Sequence, residues 1–173
     1  MRIKPVIKKI IARLYGGERL INYLRSSGMK IGDNCRIFSD ISTSESYLVE
    51  IGDNTTISGD VTFITHDASI GKVLPDVSDV FGIINIGRNC FIGNGATIMY
   101  GVTLADSTIV AAGSVVTKSV KESGKIIGGN PAKIISDFDT FAEKSGKYAV
   151  NIRGLTEEQK KKLLENDEIL VTK

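Results

Sequence analysis

Tryptophan is absent from this 173-residue chain, histidine occurs once, cysteine twice and proline three times, and aromatic residues make up only 6%. A globular core built around stacked rings is therefore excluded, although a chain of this length can bury a sizeable interior if that interior is narrow and filled by aliphatics. A single histidine excludes a three-histidine zinc centre of the carbonic anhydrase kind. Cys35 and Cys90 show no metal-ligand spacing, which points to packing rather than to a disulfide, a metal or a nucleophile, and to a reducing, cytoplasmic compartment. Neither sign of charge dominates. With 22 Lys and Arg against 20 Asp and Glu the net charge is +2, too even to build a broad field for nucleic acid or membrane. Long apolar runs are missing too: Lys4, Lys8, Lys9 and Arg13 interrupt Val6, Ile7, Ile10, Ile11 and Leu14, so no uninterrupted signal-peptide core is present.

What the chain does have is a strict spacing. Ile86, Ile92, Ile98, Leu104, Val110 and Val116 recur every six residues, and two places before them stand the smaller Cys90, Ala96, Val102, Thr108 and Ser114. A helix needs a period near 3.6 and a simple strand a period of 2, so a sustained six fits neither. It fits a β-solenoid, in which each six-residue unit is a short strand and a turn whose apolar face is buried only when neighbours stack on it.

Residues 1–28 read as an amphipathic helical cap, broken at Gly16-Gly17 and resumed with Leu20, Ile21 and Leu24. The same basic amphipathic pattern would serve a weak peripheral contact of residues 1–27 with the inner face of a membrane, but closing the open end of a solenoid is the favoured reading. Repeats occupy residues 29–135. They begin at Ile31 and Ile37 and resume at Ile51, Ile57 and Phe63; the step from Ile31 to Ile51 is eighteen plus two, which places a small bulge near Ser42–Tyr47. A longer break at Ile70–Asn85 reads as an excursion loop from the solenoid wall, the kind of segment on which scaffolded proteins carry binding contacts. A Gly-Gly-Asn-Pro bend ends the repeats. Residues 136–173 form a polar tail in which Thr156-Glu157-Glu158-Gln159 predicts a capping box ahead of a helix through Leu164.

The segments YLRSSGMKIGDNCRIF, THD, INIGRNCFIGNGATIMYGVTL, GSVVTK and GGNPAK resemble the hexapeptide-repeat acyltransferases, and among them the bacterial O-acetyltransferases of capsule, lipopolysaccharide and exopolysaccharide synthesis. The resemblance implies an all-β fold, a left-handed parallel β-helix, with acetyl-CoA as co-substrate, no metal, a sugar or oligosaccharide acceptor and a homotrimer with active sites between subunits. Left-handedness is taken from the resemblance alone, since crossovers between parallel strands are otherwise right-handed. An exposed apolar stripe including Phe91, Ile109 and Val115 also suggests an interface.

Acetyl transfer from a thioester to a hydroxyl needs a base for the hydroxyl proton and an acid for the departing sulfur, and an imidazole serves both. His66, at a corner just before the excursion, matches the position of the family's catalytic histidine. Asp67 and Asp60 are the acids nearest it in sequence and are candidates to orient it or to bind acceptor hydroxyls. Phe91 stands where related enzymes often carry a tryptophan lining the site, and as a ring without an indole N–H it retains stacking only. Ala111, Ala112 and Gly113 match the strip along which relatives lay pantetheine. Lys118, Lys125 and Lys133 supply cations near the last turn, as the phosphates of CoA would require, and Asn130 and Pro131 at the final bend are further candidates for binding the cofactor. Alternatives on the same scaffold are N-acetylation of an amino sugar, nucleotide-linked or not, and acetylation of a galactoside or a small xenobiotic. A non-catalytic solenoid would show a regular outward threonine array; Thr56, Thr62, Thr97 and Thr103 do not complete one.

Overall fold

The structure, a computed structural model, describes residues 17–165 and 169–171. Residues 1–16, the basic half of the expected N-terminal helix, lie outside the described residues. The chain divides into two units, residues 1–135 and 136–173.

In the first unit the helix Gly17–Ser26 leads into short strands β1 (Lys30–Ile31), β2 (Arg36–Ile37), β3 (Val49–Ile51), β4 (Thr56–Ile57) and β5 (Thr62–Phe63). An arm follows, framed by β6 (His66–Asp67) and β7 (Val80–Phe81). A second run holds β8 (Ile84–Ile86), β9 (Phe91–Ile92), β10 (Thr97–Ile98), β11 (Thr103–Leu104), β12 (Ile109–Val110) and β13 (Val115–Val116), and ends in β14 (Lys125–Gly129) and β15 (Ala132–Asp137).

Successive strands visit three sheets in turn: β1, β3, β8 and β11 form one, β5, β10 and β13 another, and β2, β4, β9, β12, β14 and β15 the third. The wall pairings up to β14 are parallel, so the chain winds as a three-sided coil. Each turn sets its aliphatic side chains directly on those of the turn before. Ile57, Ile92, Val110 and Ile127 make one column, and Ile51, Ile86 and Leu104 another. The small positions between them are filled by Cys90, Ala96, Val102, Thr108 and Ser114, all buried. The buried hydroxyls are paired: Thr108 donates to the Ala105 carbonyl at 2.7 Å and Ser114 to that of Ala111 at 2.7 Å, which removes the cost of an orphan donor.

The pairing offset records every irregularity of the sequence. It is eighteen residues from Ile86 to Leu104, twenty from Ile31 to Ile51 and thirty-five from Ile51 to Ile86. The first excess is the bulge after β2; the second is the arm. Close stacking forbids a side chain at some corners. A Cβ on Gly93 would sit 2.5 Å from the Ala112 nitrogen, and one on Gly82, where the arm returns, 2.4 Å from that of Gly101.

At the N-terminal end Leu20, Ile21 and Leu24 of helix Gly17–Ser26 are buried in the same core, so this half of the helix closes the coil with its apolar side. Three sequence expectations change. The excursion begins earlier and ends earlier than Ile70–Asn85: it leaves at His66, and Ile84 and Asn85 are already wall, because the buried Ile84 side chain fills the core beside Val49. Ile109 and Val115 are half-buried rather than exposed: Ile109 lies between Phe91 and Ile126 on its sheet, and Val115 lies against Thr97. Thr56 is buried, accepting hydrogen bonds from Arg36.

The columns are where the stability resides. Ile92 is 0% exposed between Ile57 and Val110, and Ile92→Ala should cost about 2–5 kcal/mol, as deletion of buried methylenes in a poorly collapsible site does. Urea unfolding would measure it, and a loss below about 1 kcal/mol would mean that the column is not close-packed.

In the second unit, helix Phe138–Ser145 begins at Asp137, whose carboxylate accepts from Thr140 N–H at 2.9 Å. Helix Glu157–Leu164 starts with a reciprocal capping box between Thr156 and Gln159, each satisfying an end group of the other.

Candidate active site

β5 ends with the Phe63 side chain in the core and Ile64 N–H bound to the Ile98 carbonyl at 2.9 Å. The chain then leaves the wall. β6 pairs antiparallel with β7, His66 opposite Phe81 and Asp67 opposite Val80, and Gly82 N–H returns to the Thr65 carbonyl at 3.0 Å. This short ladder holds the His66 side chain outward, 39% exposed. Its ring lies 5.6 Å from that of Phe81, tilted by 40°.

His66 Nδ1 is 2.9 Å from Oε2 of Glu45, a carboxylate whose side chain is only 15% exposed. The buried Thr65 donates its hydroxyl to the same oxygen at 2.8 Å. Glu45 stands in the bulge of the preceding turn, a compact loop in which Ser42 donates to Asp40, Ser46 donates to the Thr43 carbonyl at 3.0 Å, and a 3-10 turn runs Ser46–Leu48. Neither acid singled out from the sequence makes this contact. The Asp67 carboxylate turns to its own chain and accepts from Ser69 N–H at 2.8 Å, and Asp60 sits exposed at a left-handed corner with φ of 56°. Proximity along the chain is a poor guide in a coil, where the nearest neighbours lie one turn away. The signal was nevertheless present: with the twenty-residue offset of this turn, the residue stacked on His66 falls next to Glu45.

Phe91 is exposed as expected, at 44%, but it stands on β9 between Thr56 and Ile109, in a different sheet from the strand that leads to His66. The ring against the imidazole is Phe81.

The candidate cofactor residues fall in two adjoining places. Ala111–Gly113 turn from β12 to β13, with Ala111 N–H bound to the Ile127 carbonyl at 2.8 Å and Gly113 at φ of 68°. Beside them a cleft of 320 Å³ is lined by Lys118, Lys121, Lys133, Ala132 and Ile127 among others. Asn130 and Pro131 form the two-residue turn between β14 and β15. Lys125 does not line the cleft; it pairs with Glu122 at 3.4 Å, and Lys121 takes the place the sequence reading gave it. Among the described residues no group of three His, Cys, Asp or Glu side chains is placed to share a metal ion, and no helix is long and apolar enough to cross a membrane.

Three carboxylates are held below their ordinary values. Hydrogen bonds from Thr65 and then His66 lower Glu45, the Ser69 N–H lowers Asp67, and the Arg88 N–H and guanidinium lower Asp106. A depressed folded-state value adds stability that is present above the unfolded value and is lost as pH falls through the folded one. The urea midpoint should therefore be level near neutrality and fall on acidification below the ordinary glutamate value of 4.5. A midpoint unchanged between about pH 5 and about pH 3 would overturn this.

Residues 84–118 match the family model described as bacterial transferase hexapeptide, six repeats. The chain is similar to Protein CapG of Staphylococcus aureus, 39% identical over 166 residues that cover 92% of this chain and 95% of that one. It is also similar to the galactoside O-acetyltransferase of Escherichia coli strain K12, 30% identical over 123 residues, 70% of this chain and 60% of that protein. Among solved structures it resembles a hexapeptide-repeat acetyltransferase from Vibrio cholerae O1 biovar eltor complexed with acetyl coenzyme A. The TM-score is 0.52 at 26% identity, covering 64% of this chain and 61% of that one. With the six-residue columns, the three parallel sheets and near full-length similarity to CapG together, the chain belongs to the hexapeptide-repeat acetyltransferases.

Proposed function

We propose that this enzyme transfers the acetyl group of acetyl-CoA to a sugar hydroxyl during synthesis of a bacterial surface polysaccharide, in the cytoplasm, on a left-handed β-helix that assembles as a homotrimer. The observation that carries the reading is a half-exposed imidazole at a corner of the coil, with Nδ1 hydrogen-bonded to a carboxylate and Nε2 making no hydrogen bond among the described residues. His66 Nε2 takes the hydroxyl proton as the acceptor oxygen bonds to the thioester carbon. The tetrahedral intermediate then collapses, the carbon–sulfur bond breaks, and the imidazolium returns the proton to sulfur. The Ala111–Gly113 corner is small enough to let a pantetheine arm approach the backbone, and Lys118, Lys121 and Lys133 in one cleft suit the phosphates of CoA. The trimer is supported by apolar side chains that a lone chain leaves in water, chiefly on the arm, where Val73 is 76% exposed beside Leu74, Val77 and Phe81.

The test is acetyl-CoA consumption across a panel of polysaccharide fragments, lipid-linked oligosaccharides, nucleotide sugars, galactosides and amino sugars, with the product's acetylated atom identified by NMR. Acetyl esters on a saccharide are expected. Acetyl amides alone would replace this reading with N-acetylation of an amino sugar.

A further inference from the structure

We propose that Glu45, held in place by Thr65, is the positioning residue that fixes the tautomer and orientation of His66; this rests on the reading of His66 as the general base. An ionised carboxylate only accepts hydrogen bonds. The 2.9 Å contact of Glu45 Oε2 with His66 Nδ1 therefore puts the ring proton on Nδ1 and leaves the lone pair on Nε2, the one nitrogen free to take a proton from an acceptor hydroxyl.

The carboxylate is itself pinned. Thr65 is 2% exposed, and its hydroxyl donates at 2.8 Å to the oxygen that also meets the imidazole. Without Glu45 that hydroxyl would be a buried donor lacking its partner, so the two residues hold each other. Phe81 restrains the ring from another side at 5.6 Å.

The bulge gains a purpose in this light. It is the one place in the first run of repeats where the twenty-residue offset replaces eighteen, and the extra residues build the Asp40–Ser42 and Thr43–Ser46 contacts that present Glu45. As the imidazole takes up a proton, the neighbouring carboxylate also compensates the new positive charge.

The experiment compares the wild-type protein with Glu45→Gln, Glu45→Ala, Glu45→Asp, Thr65→Val and His66→Ala, in steady-state kinetics and in nitrogen-15 NMR of the single histidine, whose signals need no assignment. Glu45→Gln and Glu45→Ala should lower kcat by at least about tenfold, part of the roughly hundred- to ten-thousand-fold that acid–base catalysis supplies, with the KM for acetyl-CoA unchanged. Glu45→Asp should restore part of the rate, and Thr65→Val should fall between. The imidazole of the wild type should carry its proton on Nδ1, and that of Glu45→Ala should shift toward Nε2. An active Glu45→Ala beside an inactive His66→Ala overturns the positioning role alone, whereas an active His66→Ala overturns the base reading itself. Should the alanine variant fail to fold, Glu45→Met decides, since it has a similar volume but no strong acceptor: an unchanged kcat and an unchanged tautomer overturn the proposal.

Discussion

His66→Ala should abolish acetyl transfer while leaving the affinity for CoA intact. Loss of a general base costs on the order of a hundred- to ten-thousand-fold in rate, and in the proposed mechanism the same imidazole also returns the proton to the leaving sulfur, so the upper part of that range is expected. The cofactor should be spared because the candidate CoA residues lie in other places: Ala111–Gly113 form a corner of the second run of repeats, and Lys118, Lys121 and Lys133 line a cleft at the last turn. The fold should be spared too, since the imidazole is 39% exposed and its removal empties no core position. The group left with one partner fewer is Glu45, which keeps its hydrogen bond from Thr65. Steady-state kinetics and calorimetry of CoA on the same preparation give the two readings. Near-normal turnover in the variant would overturn the mechanism.

The second large effect is expected from the arm. Replacing Val73 to Val80 with a short Gly-Ser bridge should lower kcat/KM for the acceptor by about ten- to a hundredfold, or change which sugars react, because contacts that orient a substrate are worth factors of that size. Three observations support that expectation. The arm starts at His66 itself, it sets Phe81 against the imidazole, and it holds Val73, Leu74 and Val77 exposed instead of folding them onto the wall. CoA affinity should barely move. Light scattering of the wild-type protein should give three times the 18.7 kDa chain mass, and the bridge variant should keep it. If the arm serves only to pack on a neighbouring subunit, the variant will instead lose trimer mass or melting temperature with acceptor preference unaltered. Unchanged preference in an intact trimer overturns the assignment.

By itself the sequence determined the coil. A side chain that recurs every sixth residue and is aliphatic each time has one consistent place to go, the interior of a three-sided turn, and Ile86, Ile92, Ile98, Leu104, Val110 and Val116 are all buried there. The apolar side of helix Gly17–Ser26, the capping box at Thr156 and Gln159, and the outward setting of His66 were legible for the same reason: each depends on a local spacing. Only the tertiary structure decided which outward groups meet. Two side chains on the surface of a coil are neighbours when their residues differ by one turn, and the length of that turn is eighteen, twenty or thirty-five residues according to what each corner inserts. So Glu45 rather than Asp67 reaches His66, Phe81 rather than Phe91 lies against its ring, and Lys121 joins Lys118 and Lys133 while Lys125 is taken by Glu122. Periodicity reports the direction of a side chain; the stacking of unequal turns sets its partner.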